Sequence, residues 1–372
     1  MKVIIAPDSF KGSLGALQVA QALALGVRRV RPEADIRLFP MADGGEGTLE
    51  AVLAATGGRR LDVSVTGAHG KPLVADYGVL ADGVAVVEVA QVVGIVLPGM
   101  RAVAVADRTT QGLGELVRHC LDSGVRRFMV GLGGSATNEG GAGLLAALGA
   151  RFFDAAGKPV APTLQGLAKL AEADFSRLDE RLRQSEITIL SDVDNPLCGE
   201  SGATAVFGPQ KGVAPDEVER YDDILRRYAG LCDAWAGVAL SRQPGSGAAG
   251  GLGYAFRLLG GRLQSGAEAV CAMMGIDAAL QCADWAITGE GRSDAQTLQG
   301  KAPFVVAQHA KRYGVPVTLI SGGIEADSLA RLAAHFDDCY ALVSATVSVS
   351  QAMRDAAGLL ADRAELAARS RK

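Results

Sequence analysis

Short apolar runs alternate with longer amphipathic ones along this chain, and that alternation predicts an architecture. KVIIA (2–6) reads as a strand. Behind it Leu17, Ala20, Leu23, Val27 and Val30 recur at steps of three and four, the period of a helix with one buried face, and Ser13 is placed to cap it. DIRLF (35–39) predicts a second strand, and a helix starts near Glu46. RFMV (127–130), ITIL (187–190), WAIT (285–288), VTLI (317–320) and YALV (340–343) predict further strands, with helices near 109–122, 139–148, 215–236 and 301–313. The last is punctuated at both ends, by Pro303 in its first turn and by Gly314 and Pro316 behind it. Strands alternating with helices argue for parallel sheets in an α/β fold.

At 372 residues the chain exceeds one ordinary core. The stretch 62–281 is less regular and richer in glycine-containing loops. It is expected to form a second α/β domain, inserted into a flavodoxin- or Rossmann-like parallel-sheet domain made from 1–61 and 282–372. The most apolar segment, VAVVEVAQVVGIVL (84–97), is interrupted by Glu88 and Gln91 and falls short of the roughly 20 residues of a membrane span. It predicts a buried strand and its neighbour, with no membrane association. A net charge of −4 without a basic patch excludes nucleic acid as a partner. Six scattered cysteines without a CxxC pair, and four histidines without metal-ligand spacing, argue against zinc. Reduced thiols and an N-terminus too short in apolar residues for a signal peptide point to the cytoplasm.

Glycine accounts for 48 residues, nearly double the usual share. Much of it falls in polar segments that begin where a predicted strand ends. In a parallel sheet such loops share one edge and converge on a crevice. APDSFKGS (6–13) sets Asp8, Ser9, Lys11 and Ser13 before a helix, where backbone N–H groups, the helix dipole and a lysine favour an anion. A capped helix with a solvated lysine explains it equally. GLGGSATNEGG (131–141) offers Gly133, Gly134, Ser135 and Asn138 to phosphate oxygens, or else close packing with Asn138 as a cap. SDVDNP (191–196) carries Asp192 and Asp194, which extended backbone would point the same way, as Mg²⁺ requires; an Asx turn before Pro196 is the plainer reading.

PMADGGEGT (40–48) offers Asp43 for a substrate hydroxyl and Glu46 as either cap or ligand. TGEGRSDAQTLQGK (288–301) combines Glu290, Arg292, Asp294 and Lys301, and FGPQKG (207–212) adds Gln210 and Lys211. Residues 131–136 also fit G-x-G-x-x-A, with Asp154 available for a ribose, which sets up a rival: an NAD(P)-dependent oxidoreductase of a small hydroxy acid. A second literal match runs from Gly245 to Gly250. No P-loop, protein-kinase set or nucleophile elbow is present. Positioning and charge stabilisation are what the loops can supply, and that is the chemistry of phosphoryl transfer.

Taken in order and spacing, these segments resemble the bacterial glycerate kinase family, the glycerate 2-kinases of glycolate and glucarate catabolism, from residue 1 to about 345. One departure is Glu139, where the family favours Asp. Residues 346–372 carry no motif and read as a helical tail. The resemblance implies two α/β domains with the active site in the cleft between them. It also implies ATP and Mg²⁺ as cofactors, with D-glycerate converted to 2-phosphoglycerate by direct in-line transfer; a homodimer is left open. On chemical type, Ser9, Lys11, Ser13, Gly133, Gly134, Ser135 and Asn138 would then hold the triphosphate, with Lys11 also aiding transfer. Asp192 and Asp194 would hold Mg²⁺, and Arg292 and Lys301 the glycerate carboxylate, with Glu46 and Asp294 also contacting the substrate. Asp192 or Asp43 would accept the hydroxyl proton.

Overall fold

The computed structural model describes residues 1–371. Its main strands, in chain order, are β1 (Lys2–Ile5), β2 (Asp35–Leu38), β3 (Arg59–Thr66), β4 (Pro72–Val79), β5 (Val84–Glu88), β6 (Arg127–Gly131), β7 (Glu186–Leu190), β8 (Arg262–Gln264), β9 (Trp285–Thr288), β10 (Val317–Ser321) and β11 (Asp338–Ala341). The chain divides into two compact units: Met1–Asp43, Glu50–Gly57 and Ser265 onward form one, and Gly44–Leu49 with Gly58–Gln264 the other. Helices Gly266–Met274 and Ile276–Leu280 thus belong with the chain ends rather than with the middle segment.

In the first unit the sheet runs β11–β10–β9–β1–β2, every pair parallel. Buried on both faces, β9 and β10 are written as mostly apolar runs, WAIT closing on one polar residue and VTLIS broken only by Thr318 before its terminal Ser321. The order reverses between β1 and β9, so the loops leaving these two strands part and open a crevice at their carboxyl ends, as in flavodoxin-like sheets.

Helix Ala16–Val30 packs on Ala356–Ser370 through small residues: a Cβ on Gly26 would lie 2.0 Å from the carbonyl oxygen of Ala361, so only glycine fits. The segment read as a helical tail is indeed helical, and it is part of this unit's core. Ser13 is not the cap expected. The helix begins at Ala16 behind Gly15, whose N–H donates to Gln18 Oε1 at 3.0 Å, because residues 10–14 are consumed by a turn in which Phe10 N–H donates to the Leu14 carbonyl.

The second unit holds a mixed sheet, β8–β7–β6–β5–β4–β3, parallel from β5 to β8 and antiparallel across β3–β4–β5. The β3–β4 hairpin was not expected, although Leu61, Val63 and Val65 alternate with polar residues as a half-buried strand should. Helices Gln111–Asp122 and Val218–Ala236 form as predicted, and Tyr228, Tyr254 and Phe256 are fully buried in the core. Among the described residues no helix is long and apolar enough to cross a membrane.

Candidate functional site

Past β1 the chain turns tightly at Phe10–Leu14, with Gly12 at φ +77° and Lys11 exposed at the tip. Asp8 is held before the turn by its own N–H, which donates to the Gly289 carbonyl at 2.8 Å. Past β9, Gly289 lies so close to β10 that a Cβ would meet the Ile320 carbonyl oxygen at 1.9 Å. Glu290 follows, and Arg292–Ser293 then pairs in parallel with Gly323–Ile324. These two loops, the segment after β11 and helix Val349–Arg354 enclose a cavity of about 690 Å³ at the switch point. Its charged lining residues are Asp8, Lys11, Asp43, Glu290, Arg292, Asp294, Lys301 and Glu325. Its apolar ones are Phe10, Ile324, Leu342, Val343, Val349, Ala352 and Met353, the last five from the segment after β11 and helix Val349–Arg354.

The charged side is electrostatically tense. Asp8 is only 7% exposed, and its carboxylate accepts the Ser9 N–H at 2.6 Å. Burial, and then the neighbouring charge of Asp43, push the Asp8 carboxyl up to about 8; the Ser9 N–H and Lys11 act against this, and Glu290 adds to it. Glu290 is likewise raised, chiefly by burial, although the Thr297 and Ser293 hydroxyls donate to its Oε1 at 2.6 and 2.9 Å. Lys301 Nζ stands 3.6 Å from Glu290 and 3.8 Å from Asp294, whose Oδ1 also accepts the Gln296 N–H and caps the following turn. Arg292 lies on the rim, paired with Glu325 and largely solvent-exposed. Ser9 and Ser13 both line the cavity, and the Ser13 hydroxyl donates to the Met353 carbonyl at 2.7 Å. Asp8 and Glu290 stood in the motifs without an assigned role. An acid just past the end of a buried strand was the available signal.

The glycine-rich loop of the second unit is used differently. Gly133 donates its N–H to the Gly44 carbonyl at 3.1 Å, and a Cβ there would lie 2.4 Å from Gly45 Cα, so its missing side chain makes room for backbone. Gly134 supplies a left-handed turn at φ +75°. Ser135 Oγ accepts from Lys211 Nζ at 3.1 Å, and Lys211 also donates to the Thr137 carbonyl at 2.7 Å. Asn138 is fully buried, its amide donating to Thr204 Oγ1 at 2.9 Å. Ser135 and Asn138, expected on phosphate, here hydrogen-bond to protein, with the buried Asn138 Oδ1 left without a partner. Burial, together with nearby Arg108, lowers the Lys211 ammonium to about 7, with Glu139 opposing. Lys211 sits at the end of helix Ala203–Lys211 rather than in a loop. The segment Gly245–Gly250 packs against this same loop: a Cβ on Gly250 would meet the Thr137 carbonyl oxygen at 1.9 Å.

Glu46 is exposed in a segment pinned by buried Glu88, which accepts the Leu49 N–H at 2.6 Å and is itself raised by burial. Asp192 and Asp194 are exposed in the irregular segment after β7, while the Asn195 amide ties back to the Ser201 carbonyl at 2.7 Å. Among the described residues no group of three or more His, Cys, Asp or Glu is arranged to hold a metal. The dinucleotide fingerprint fails structurally. Arg151–Asp154 pairs antiparallel with Leu170–Asp174, outside the sheet that contains β6, and Asp154 accepts the N–H groups of Ala156 and Lys158, each at 2.9 Å.

Comparison with known proteins agrees with the motifs. A family model described as "Glycerate kinase family" matches residues 3–372. A glycerate kinase of Bacillus subtilis (strain 168) is 44% identical over 359 residues, 96% of this chain and 94% of that protein. A glycerate 2-kinase of Escherichia coli (strain K12) is 42% identical over 329 residues, 88% and 86% respectively. Among solved structures, one from Salmonella typhimurium LT2 with the provisional name glycerate kinase 2 superposes with a TM-score of 0.85 at 44% identity, covering 100% of this chain and 98% of that one.

Proposed function

Because the chain belongs to the glycerate kinase family and is thus an enzyme that phosphorylates glycerate, we propose that it uses ATP with Mg²⁺, acts on the 2-hydroxyl, and does so in the cavity of the first unit. The observation that carries this reading is the buried Asp8 carboxyl beside Asp43 and Lys11 at the carboxyl end of β1. A proton acceptor works best when its pKa lies near the working pH, and Asp8 is raised to about 8. Asp8 therefore takes the proton of the attacking hydroxyl, with Asp43 orienting that hydroxyl. Lys11 neutralises charge on the transferred group. The exposed Arg292–Glu325 pair is worth little by itself, so Arg292 is readily exchanged onto the glycerate carboxylate, with Lys301 beside it. Asp294 holds Lys301 in place.

The second unit's Asp192 and Asp194 are our assignment for Mg²⁺. Two exposed carboxylates two residues apart suit an ion that takes one or two carboxylates and keeps its waters. The 2-position follows the E. coli relative named glycerate 2-kinase. Phosphorus NMR of the product made from ATP and D-glycerate tests the reading: a phosphate coupled to the single proton on C2 is expected, and coupling to the C3 methylene would overturn the regiochemistry.

A further inference from the structure

We infer that the apolar half of the first unit's cavity, between the segment after β11 and helix Val349–Arg354, seats the purine ring of the nucleotide; this rests on the reading of that cavity as the site of ATP-dependent transfer. Size is the first argument. A volume of about 690 Å³ falls in the range of roughly 300–1,000 Å³ that holds whole drug-sized ligands, far more than a three-carbon acid fills. The charged side accounts for glycerate and phosphate. It leaves the segment after β11 and helix Val349–Arg354, which present Leu342, Val343, Val349, Ala352 and Met353 to the cavity.

That region has the character of a surface awaiting a flat apolar partner. Val349 and Met353 are 62% and 47% exposed although both line the cavity, while Leu342 beneath them is fully buried. Isolated apolar side chains on a surface need no explanation, but these belong to one wall, joined by Phe10, Ile324 and Val343. The wall is also fixed relative to the charged side. Ser13 Oγ donates to the Met353 carbonyl at 2.7 Å, tying helix Val349–Arg354 to the turn that presents Lys11. A Cβ on Gly12 would lie 3.3 Å from Met353 Cε, so turn and wall are in near contact. A nucleotide laid from wall to turn carries its neutral ring against Val349 and Met353 and its phosphates toward Lys11, beside the hydroxyl held by Asp8. Burying that ring removes apolar area from water on both partners, which supplies affinity without any side-chain hydrogen bond.

The test uses the full chain with Val349→Glu and Met353→Glu, at exposed positions where substitution leaves the fold intact. Each is expected to raise KM for ATP at least tenfold while KM for glycerate stays within about twofold. An unchanged KM for ATP, or a rise confined to glycerate, would overturn the assignment. In a separate variant, Met353→Trp, ADP is expected to change the emission of the new tryptophan and inorganic tripolyphosphate is not. Equal responses to both, or none to ADP, would also overturn it. A wild-type chain that makes no phosphoglycerate from ATP would instead sink the underlying reading, so the two failures are distinguishable.

Discussion

The cavity of the first unit and the glycine-rich loop of the second are built from the same vocabulary, glycines mixed with Ser, Asp, Glu and Lys behind a strand end. They use it in opposite ways. In the second unit the room left by glycine is filled with protein: Gly133 admits Gly45 Cα at 2.4 Å and Gly250 admits the Thr137 carbonyl oxygen at 1.9 Å. The polar side chains there bond to one another, Lys211 to Ser135 and Asn138 to Thr204. In the first unit Gly289 and Gly322 also make room for backbone, at 1.9 and 2.3 Å, but the cavity-facing glycines do not: a Cβ on Gly291 would meet nothing nearer than 3.4 Å, and one on Gly323 nothing within 4 Å. The charged side chains there face open volume. Glycine richness reports that something comes close; only the neighbours decide whether that is backbone or ligand.

This contrast can be broken experimentally. The largest effect is expected from Asp8→Asn, which should lower kcat by about 10²- to 10⁴-fold with the fold retained; a loss below tenfold would move the base elsewhere. Next comes Gly133→Ala, which drives a methyl into Gly45 and should cost about 1–3 kcal/mol. That is a lower melting temperature by roughly 2–4 °C per kcal/mol, whereas Gly323→Ala should leave melting unchanged. If both glycines tolerate alanine equally, the distinction fails.

The pH dependence is a third lever. Because the folded-state pKa of Asp8 is raised from 3.8 to about 8, the native state holds a proton that the unfolded chain has lost. Stability from this group is therefore fully present below about pH 4, declines as pH rises and levels off above about 8. Asp8→Asn should remove that decline, so the variant melts higher than wild type at pH 8 while being far less active. Activity of the wild type should rise with pH across the same window, as the carboxylate forms. The smallest effect is expected from Arg292→Gln: KM for glycerate up several-fold, with melting unmoved because the exposed pair with Glu325 contributes little.

Much of the fold was legible because burial on both faces writes parallel strands as apolar runs, and KVII, WAIT and VTLIS are such runs. The pairing of β1 with β9 was not, since Val3 meets Trp285 only through long-range packing. The β3–β4 hairpin was missed because half-buried strands give a weaker, alternating signal. At the site, the strand-end loops were visible as polar breaks after apolar runs. Which of them stay open was not, because Ser13 is diverted by Met353 and Ser135 by Lys211, residues hundreds or tens of positions away. The role of Asp8 depends on burial and on Asp43, neither of which a local motif encodes. Val349 and Met353 carry no motif at all.

The most direct measurement is a crystal structure of this chain with a non-hydrolysable ATP analogue and D-glycerate. Nucleotide phosphate is expected within hydrogen-bond reach of Lys11, with the glycerate hydroxyl on Asp8. Phosphate found instead on the backbone N–H groups of Gly133 to Ser135, with the first unit's cavity empty, would contradict the assignment of these two regions.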